Sequence, residues 1–233
     1  KLSKTSYTYD GTVKKPTVTV KDSKGKVLTL NTDYTVSYAK GRKNVGSYKV
    51  TVKFKGKYSG SETETFKIKA KKITSSMISD ISAKTYTGKA QKPSVKVKYG
   101  NVTLKNKTNY TVSYKNNTNA GTASVTVTGK GNYTGSATVK FTIKPKSIEG
   151  FKLSKVGTQT YTGKSLKPSV TVKNGSKKLV SGTDYKVSYS KNKNTGTATV
   201  KVTGKGNYSG TLKTTFVIKP KQAALKTLKT TAK

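Results

Sequence analysis

The chain has 233 residues, with 48 Lys or Arg against 8 Asp or Glu and a formal net charge of +40. It contains no Cys and no His, which removes disulfides, thiol nucleophiles, the commonest general base and nearly all transition-metal sites. Hydrophobic residues make up 31%, low for a globular protein and suited to short strands with one wet face.

The elements recur along the chain. In the first stretch Tyr9 precedes the turn dipeptide Asp10-Gly11, Pro16 opens a strand, Tyr34 and Tyr38 start and end another, and Gly46 marks a turn. Lys55 to Ala70, KGKYSGSETETFKIKA, closes this stretch with Phe66 in its last strand. The same landmarks return at Tyr86, Pro93, Tyr110, Tyr114, Gly121 and Phe141, and again at Tyr161, Pro168, Tyr185, Tyr189, Gly196 and Phe216. Gly129 to Pro145, GKGNYTGSATVKFTIKP, and Gly204 to Pro220, GKGNYSGTLKTTFVIKP, are near copies. A fixed period marks a tandem array. It predicts three domains, at 1–70, 71–146 and 147–220, followed by a tail or linker at 221–233.

Repeat 2 shows the strand logic. In Pro93 to Tyr99, Val95, Val97 and Tyr99 alternate with Ser94, Lys96 and Lys98. In Tyr110 to Tyr114 the Tyr and Val positions face one way, and in Thr122 to Thr128 Ala123, Val125 and Val127 do so. Ala137, Val139, Phe141 and Ile143 form one face of the last strand. Period-2 alternation places one side in a core and the other in water. No stretch between these strands reads as a helix. The fold class expected is all-β: three tandem immunoglobulin-like antiparallel β-sandwiches of six or seven strands each. A β-grasp fold is the alternative, and it needs a crossing helix. The linkers are short: Ile143-Lys-Pro145 and Ile218-Lys-Pro220 close repeats 2 and 3 with a stiffening proline, Ile68-Lys-Ala70 closes repeat 1, and such linkers favour an elongated array.

At these residues the sequence resembles a known family. Tyr161-Thr-Gly-Lys164, Gly182-Thr-Asp-Tyr185, Gly204-Lys-Gly-Asn-Tyr208 and Phe216 to Pro220 are similar to immunoglobulin-like surface repeats of Gram-positive gut bacteria. The resemblance implies a bacterial cell-surface or secreted location. It also implies a role as stalk or binding module, for a glycan or for a host protein such as an immunoglobulin. Repeat 1 departs from the pattern at Asp10, Arg42, Tyr48 and Lys57.

Catalysis would have to come from carboxylates, and none occupies a position shared by all three repeats. Asp33 and Asp184 correspond, but repeat 2 has Asn109 there, so a turn-forming side chain is the expected role. A Lys–Asn isopeptide bond would need a buried acid beside the pair. The Gly129 to Asn132 loop joins two strands, which fits a tight turn rather than a phosphate cradle. We therefore expect no enzyme, no cofactor, no metal site, no membrane insertion and a monomer. Tyr7, Tyr48 and Tyr99 lack equivalents in all copies and are the candidate ligand-contact residues, since Tyr is a favoured binding anchor. The partner expected first is a host protein or glycan. The alternative is lysine-driven binding of an anionic polysaccharide or teichoic acid, with no favoured repeat because the lysines are evenly divided. Weak non-specific binding of nucleic acid is also expected, although a single arginine argues against base reading.

Overall fold

The computed structural model describes residues 1–223, and the tail expected over 221–233 lies, from residue 224 on, outside the described residues. The chain divides into two compact units. One comprises Lys1–Ile81, Lys92–Lys115 and Ser124–Phe141; the other comprises Ser82–Gln91, Asn116–Ala123 and the chain from Thr142 on. The boundaries thus fall inside repeat 2. The fold is nearly all β, consistent with tandem β-sandwiches, and among the described residues the one helical element is the 3₁₀ turn Ser75–Met77. Among the described residues the β-grasp alternative has no crossing helix to stand on.

Each repeat builds the same four-stranded sheet. In repeat 1 the order is Ser6–Thr8, Ser61–Lys69, Gly46–Phe54, Tyr34–Tyr38. In repeat 2 it is Lys84–Thr85, Ser136–Lys144, Gly121–Gly129, Tyr110–Lys115, and in repeat 3 it is Gln159–Thr160, Thr211–Lys219, Gly196–Gly204, Tyr185–Ser190. Val, Thr and Tyr at alternate positions suit these half-buried pleated surfaces. The inward residues are the expected ones: Val125 and Val127 are fully buried, as are Val200 and Val202. The short first strand runs parallel to the last in every copy, with Tyr7 opposite Ile68, Lys84 opposite Ile143 and Gln159 opposite Ile218. The sheets are antiparallel apart from this edge.

The second layer is thin. In repeat 3 it is a three-stranded sheet of Lys152–Leu153, Val172–Asn174 and Lys177–Lys178. In repeat 2 it shrinks to the hairpin Lys98–Tyr99 with Val102–Thr103 and a bridge from Ile78 to Val97. In repeat 1 only the bridges Leu2 to Val18 and Lys21 to Val27 remain. This corrects the expectation that Pro16, Pro93 and Pro168 open full strands. Residues 93–96 belong to no strand, and Val97 makes only an isolated bridge.

Side chains replace the missing ladder. In repeat 1 the Tyr38 hydroxyl donates to the Pro16 carbonyl at 2.7 Å and the Tyr34 hydroxyl to the Val18 carbonyl at 3.3 Å. In repeat 2 Tyr114 donates to the Pro93 carbonyl at 2.5 Å and Tyr110 to the Val95 carbonyl at 3.0 Å. In repeat 3 Tyr189 donates to the Pro168 carbonyl at 2.6 Å and Tyr185 to the Val170 carbonyl at 3.0 Å. Two tyrosines four residues apart on one sheet face thus hold two alternate carbonyls of the proline segment. Burial pushes the hydroxyl pKa values of Tyr38, Tyr110, Tyr114 and Tyr189 up.

Phe66, Phe141 and Phe216 are 0%, 4% and 3% exposed, which bears out their core assignment. Phe216 packs in one continuous cluster with Ile148, Val172, Leu179 and Tyr185. Truncating such a ring leaves a cavity, so Phe216→Ala should lower stability by about 3–5 kcal/mol. Urea unfolding of the full chain checks this, and a loss below about 1 kcal/mol would contradict the packing.

A second prediction follows from the tyrosine ties. A raised folded pKa means the neutral hydroxyl contributes fully below the unfolded value of about 10, and that contribution is lost as pH rises through the folded values. The guanidinium midpoint should therefore fall above about pH 10 in step with tyrosinate absorbance. A midpoint that stays level while tyrosinate forms would refute the role given to the hydroxyls.

Candidate functional site

The structure separates the three tyrosines singled out as ligand contacts. Tyr7 and Tyr48 meet on one core ring: Tyr7 packs edge-on against Phe66 at 5.6 Å, and Tyr48 lies tilted against it at 5.7 Å. The Tyr48 hydroxyl donates to the Asn44 carbonyl at 2.8 Å. The ammonium groups of Lys4 and Lys14 sit over the Tyr7 ring. Lys14 also pairs with Asp10, and this pairing, with the Thr12 hydroxyl, holds the Asp10 carboxyl far below the usual range. Tyr99 belongs to a different cluster. It stands edge-on to Tyr133 at 6.4 Å with Lys71 over its ring at 4.7 Å. All three rings are half-buried.

The best-built polar site is the Gly-Lys-Gly-Asn-Tyr turn, which is a joint. In repeat 2 the Asn132 side-chain oxygen accepts from the Val45 N–H at 2.9 Å, and its amide nitrogen donates to the Asn44 side chain at 3.0 Å. The Tyr133 ring stands edge-on to Tyr9 at 5.5 Å. The incoming chain joins in parallel register, with Lys71 N–H donating to the Asn132 carbonyl and Ile73 N–H to the Thr134 carbonyl. The next joint repeats each contact. Asn207 accepts from the Ala120 N–H at 2.7 Å and donates to Asn119 at 3.2 Å. Tyr208 stands edge-on to Tyr86 at 5.5 Å, and Lys146 and Ile148 donate to the Asn207 and Ser209 carbonyls. Tyr133 and Tyr208, placed in turns by the sequence pattern, are 5% and 4% exposed because these neighbours cover them.

The turn needs its glycines. A Cβ on Gly129 would lie 2.5 Å from the Thr134 nitrogen, and one on Gly204 would lie 2.7 Å from the Ser209 nitrogen. Gly131 and Gly206 have φ of 68° and 63°, which an ordinary side chain disfavours. Repeat 1 lacks this equipment. Phe54 stands at the Gly129 position and Lys57 at the Asn132 position, and Tyr58 packs on Phe54 instead.

Repeat 1 differs in its core as well. Glu62 and Glu64, in register with Val52 and Val50, occupy positions filled by Ala137 and Val139 in repeat 2. The core divides into two clusters there, and an opening of about 260 Å³ lies along Val18, Val20 and Phe54 with Glu62, Glu64, Lys1 and Lys21 at its rim. The sequence carries this signal as two acids at core-facing spacing.

Register gathers lysines in repeat 3. Lys152 lies opposite Lys173, and Lys173 lies opposite Lys178, so three exposed lysines cross three strands in a row. On the large sheet Lys201 lies opposite Lys213. The matching pairs elsewhere are Thr51 with Thr63 and Thr126 with Thr138, whose hydroxyls bond each other. Even lysine counts thus conceal an uneven arrangement.

Two of the remaining acids that correspond between repeats cap turns. Asp33 accepts from the Thr29 N–H and Asp184 from the Val180 N–H, and Asn109 plays the same part for Lys105. Among the described residues no polar or charged residue is buried, so the acid that an isopeptide bond would need is not in place. Among them, too, no helix is long and apolar enough to cross a membrane.

The joint makes a prediction. Asn207→Ala should cost about 1 kcal/mol and leave the fold of repeat 3 intact. Hydrogen exchange at the Ala120 amide should accelerate while core amides such as Val200 hold their protection. An unchanged Ala120 amide would mean that Asn207 does not hold the joint.

Comparison with known proteins places these repeats. Residues 1–71 match the MBG domain family, and residues 75–147 match a second MBG domain family. Among solved structures, the chain is 12% identical to the protocadherin gammaB7 EC3-6 cis-dimer structure, over 94% of this chain and 73% of that one, with a TM-score of 0.22. It is 10% identical to PcdhgB3 EC1-4, over 88% of this chain and 64% of that one, with a TM-score of 0.20. It therefore spans less than two thirds of the latter, and TM-scores this low establish no common arrangement. No curated protein matches the chain.

Proposed function

The chain carries MBG domains in tandem, and on that premise we propose that it is a non-enzymatic repeat region of a bacterial surface or secreted protein, a spacer that also binds an anionic polymer. The MBG matches fit tandem immunoglobulin-like surface repeats and carry nothing about a Gram-positive source.

The observation that supports the polymer is the lysine register of repeat 3. Like charges directly opposite one another destabilise a sheet. Neighbouring strands are about 4.8 Å apart, so the Lys152, Lys173 and Lys178 ammoniums crowd along one line. A chain of carboxylates, sulfates or phosphates relieves that crowding and releases its own counterions on binding. A uronic acid polymer, a sulfated glycan or a teichoic acid has the required charge.

A second reading has its own support. Tyr7 and Tyr48 share one side of repeat 1, rimmed by Lys4 and Lys14, and a host protein, immunoglobulin included, would find aromatic edges and steering charges there.

Binding of the full chain to a sulfated polysaccharide and to immunoglobulin, at about 50 mM and about 300 mM salt, tests both, since these bracket a Debye length of about 10 Å. Polysaccharide affinity should fall steeply with salt. The triple variant Lys152→Gln, Lys173→Gln, Lys178→Gln should weaken it about tenfold and flatten the salt dependence. Salt-resistant immunoglobulin binding that Tyr7→Ala or Tyr48→Ala abolishes, with polysaccharide affinity unmoved by the lysine variant, would overturn the polymer reading.

A further inference from the structure

Both joints use the same four receiving groups. The upstream repeat offers a tyrosine ring, an asparagine side chain and the N–H of the residue after that asparagine. The chain leaving it offers a lysine N–H. In the first joint these are Tyr9, Asn44, Val45 and Lys71, and in the second they are Tyr86, Asn119, Ala120 and Lys146.

Repeat 3 carries the full set again at Tyr161, Asn194, Thr195 and Lys221. Its exit, Ile218-Lys-Pro-Lys221, is identical to Ile143-Lys-Pro-Lys146. Asn194 and Thr195 are exposed and Tyr161 is half-buried. Open hollows run along Lys191 to Thr195 and along Thr160 to Gly163 with Lys221.

We propose that this end of repeat 3 is a socket for the Gly-Lys-Gly-Asn-Tyr turn of a further MBG repeat joined in the same polypeptide. The covalent connection matters, because the lysine N–H that pairs with the turn comes from the linker itself. A second copy of this chain is a poor occupant. Its Asn132 and Asn207 turns are already engaged, and its remaining turn has Lys57 in place of asparagine. A lysine there offers no acceptor to the Thr195 N–H.

The test inserts a second copy of residues 147–220 into the full chain between Lys221 and Gln222. Amide exchange at Thr195 should slow about tenfold, the scale of one protecting hydrogen bond. Nitration of Tyr161 should slow with it. Placing Asn207→Lys in the inserted copy alone should restore fast exchange at Thr195. Protection of the inserted copy's own core amides reports that it has folded; with those protected, unchanged exchange at Thr195 overturns the socket. A second variant does not depend on the added repeat. Ala120→Thr makes the working socket of repeat 2 match that of repeat 3 at its one differing position. It should leave the 120 amide protected by Asn207, and an opened joint in that variant would overturn the proposal too. Concentration-dependent association of the unextended chain through Asn194 would do the same, because it would make a second copy the occupant.

Discussion

Each repeat depends on a pair of tyrosine hydroxyls. A unit of about 75 residues buries little surface and has a thin core. Here one layer of the sandwich is a proper sheet and the other is largely extended chain. An extended segment against a core leaves backbone carbonyls that must find donors. Tyr34 and Tyr38, Tyr110 and Tyr114, and Tyr185 and Tyr189 reach across the core and supply them. The ring fills volume that a smaller core lacks, and the hydroxyl does the work of a ladder bond. Phenylalanine would serve only the first purpose. This explains how a chain with 31% hydrophobic residues and no tryptophan builds a core in every copy, divided into two clusters in repeat 1.

The same economy governs the joints. A polar–aromatic contact of one asparagine and one tyrosine is small, but the asparagine engages a backbone N–H and a side-chain oxygen together, which fixes direction as well as distance. The glycines let the strand after the turn approach closely enough for the linker to pair with it. Repeat 1 shows what happens when the equipment is withdrawn. With Phe54 and Lys57 in the turn, Tyr58 folds onto its own hairpin. A strand pattern shared by three copies is thus compatible with a turn specialised in two.

Much of the fold was legible in the sequence, because period-2 alternation and a fixed repeat are local signals. Ala123, Val125, Val127, Phe141 and Ile143 point where the pattern puts them. The proline segments depart from the strand pattern for a physical reason. Val95 and Val97 alternate as in a strand, yet alternation reports a buried face and does not report whether a neighbour supplies hydrogen bonds. The joints were hidden because they pair residues 87 and 88 positions apart, such as Asn132 with Val45 and Asn44. The identity of the Asn-Tyr turn between copies was visible, but its partners were not. Tyr7, Tyr48 and Tyr99 stand out in the sequence for lacking equivalents. Two of them turned out to cushion Phe66 and the third to flank Tyr133, roles that composition could not separate from binding.

Charge is where register adds what counting cannot. The three repeats hold similar numbers of lysines, and a count alone predicts a uniform polyelectrolyte. Strand pairing breaks that uniformity. Repeats 1 and 2 place bonded threonines at the centre of the outer sheet face, and repeat 3 places Lys201 against Lys213 there and a lysine row on the opposite layer. Exchanging a hydroxyl pair for two like charges removes a favourable contact and adds a repulsive one, so folding alone gives no reason for it. A solubility requirement would be met equally well by lysines placed out of register, as at Lys96 and Lys140. Alignment across strands is the feature that solubility leaves unexplained. The anionic polymer we propose as ligand would account for it, because the groups that repel one another in the free protein would all gain when one polymer lay along them.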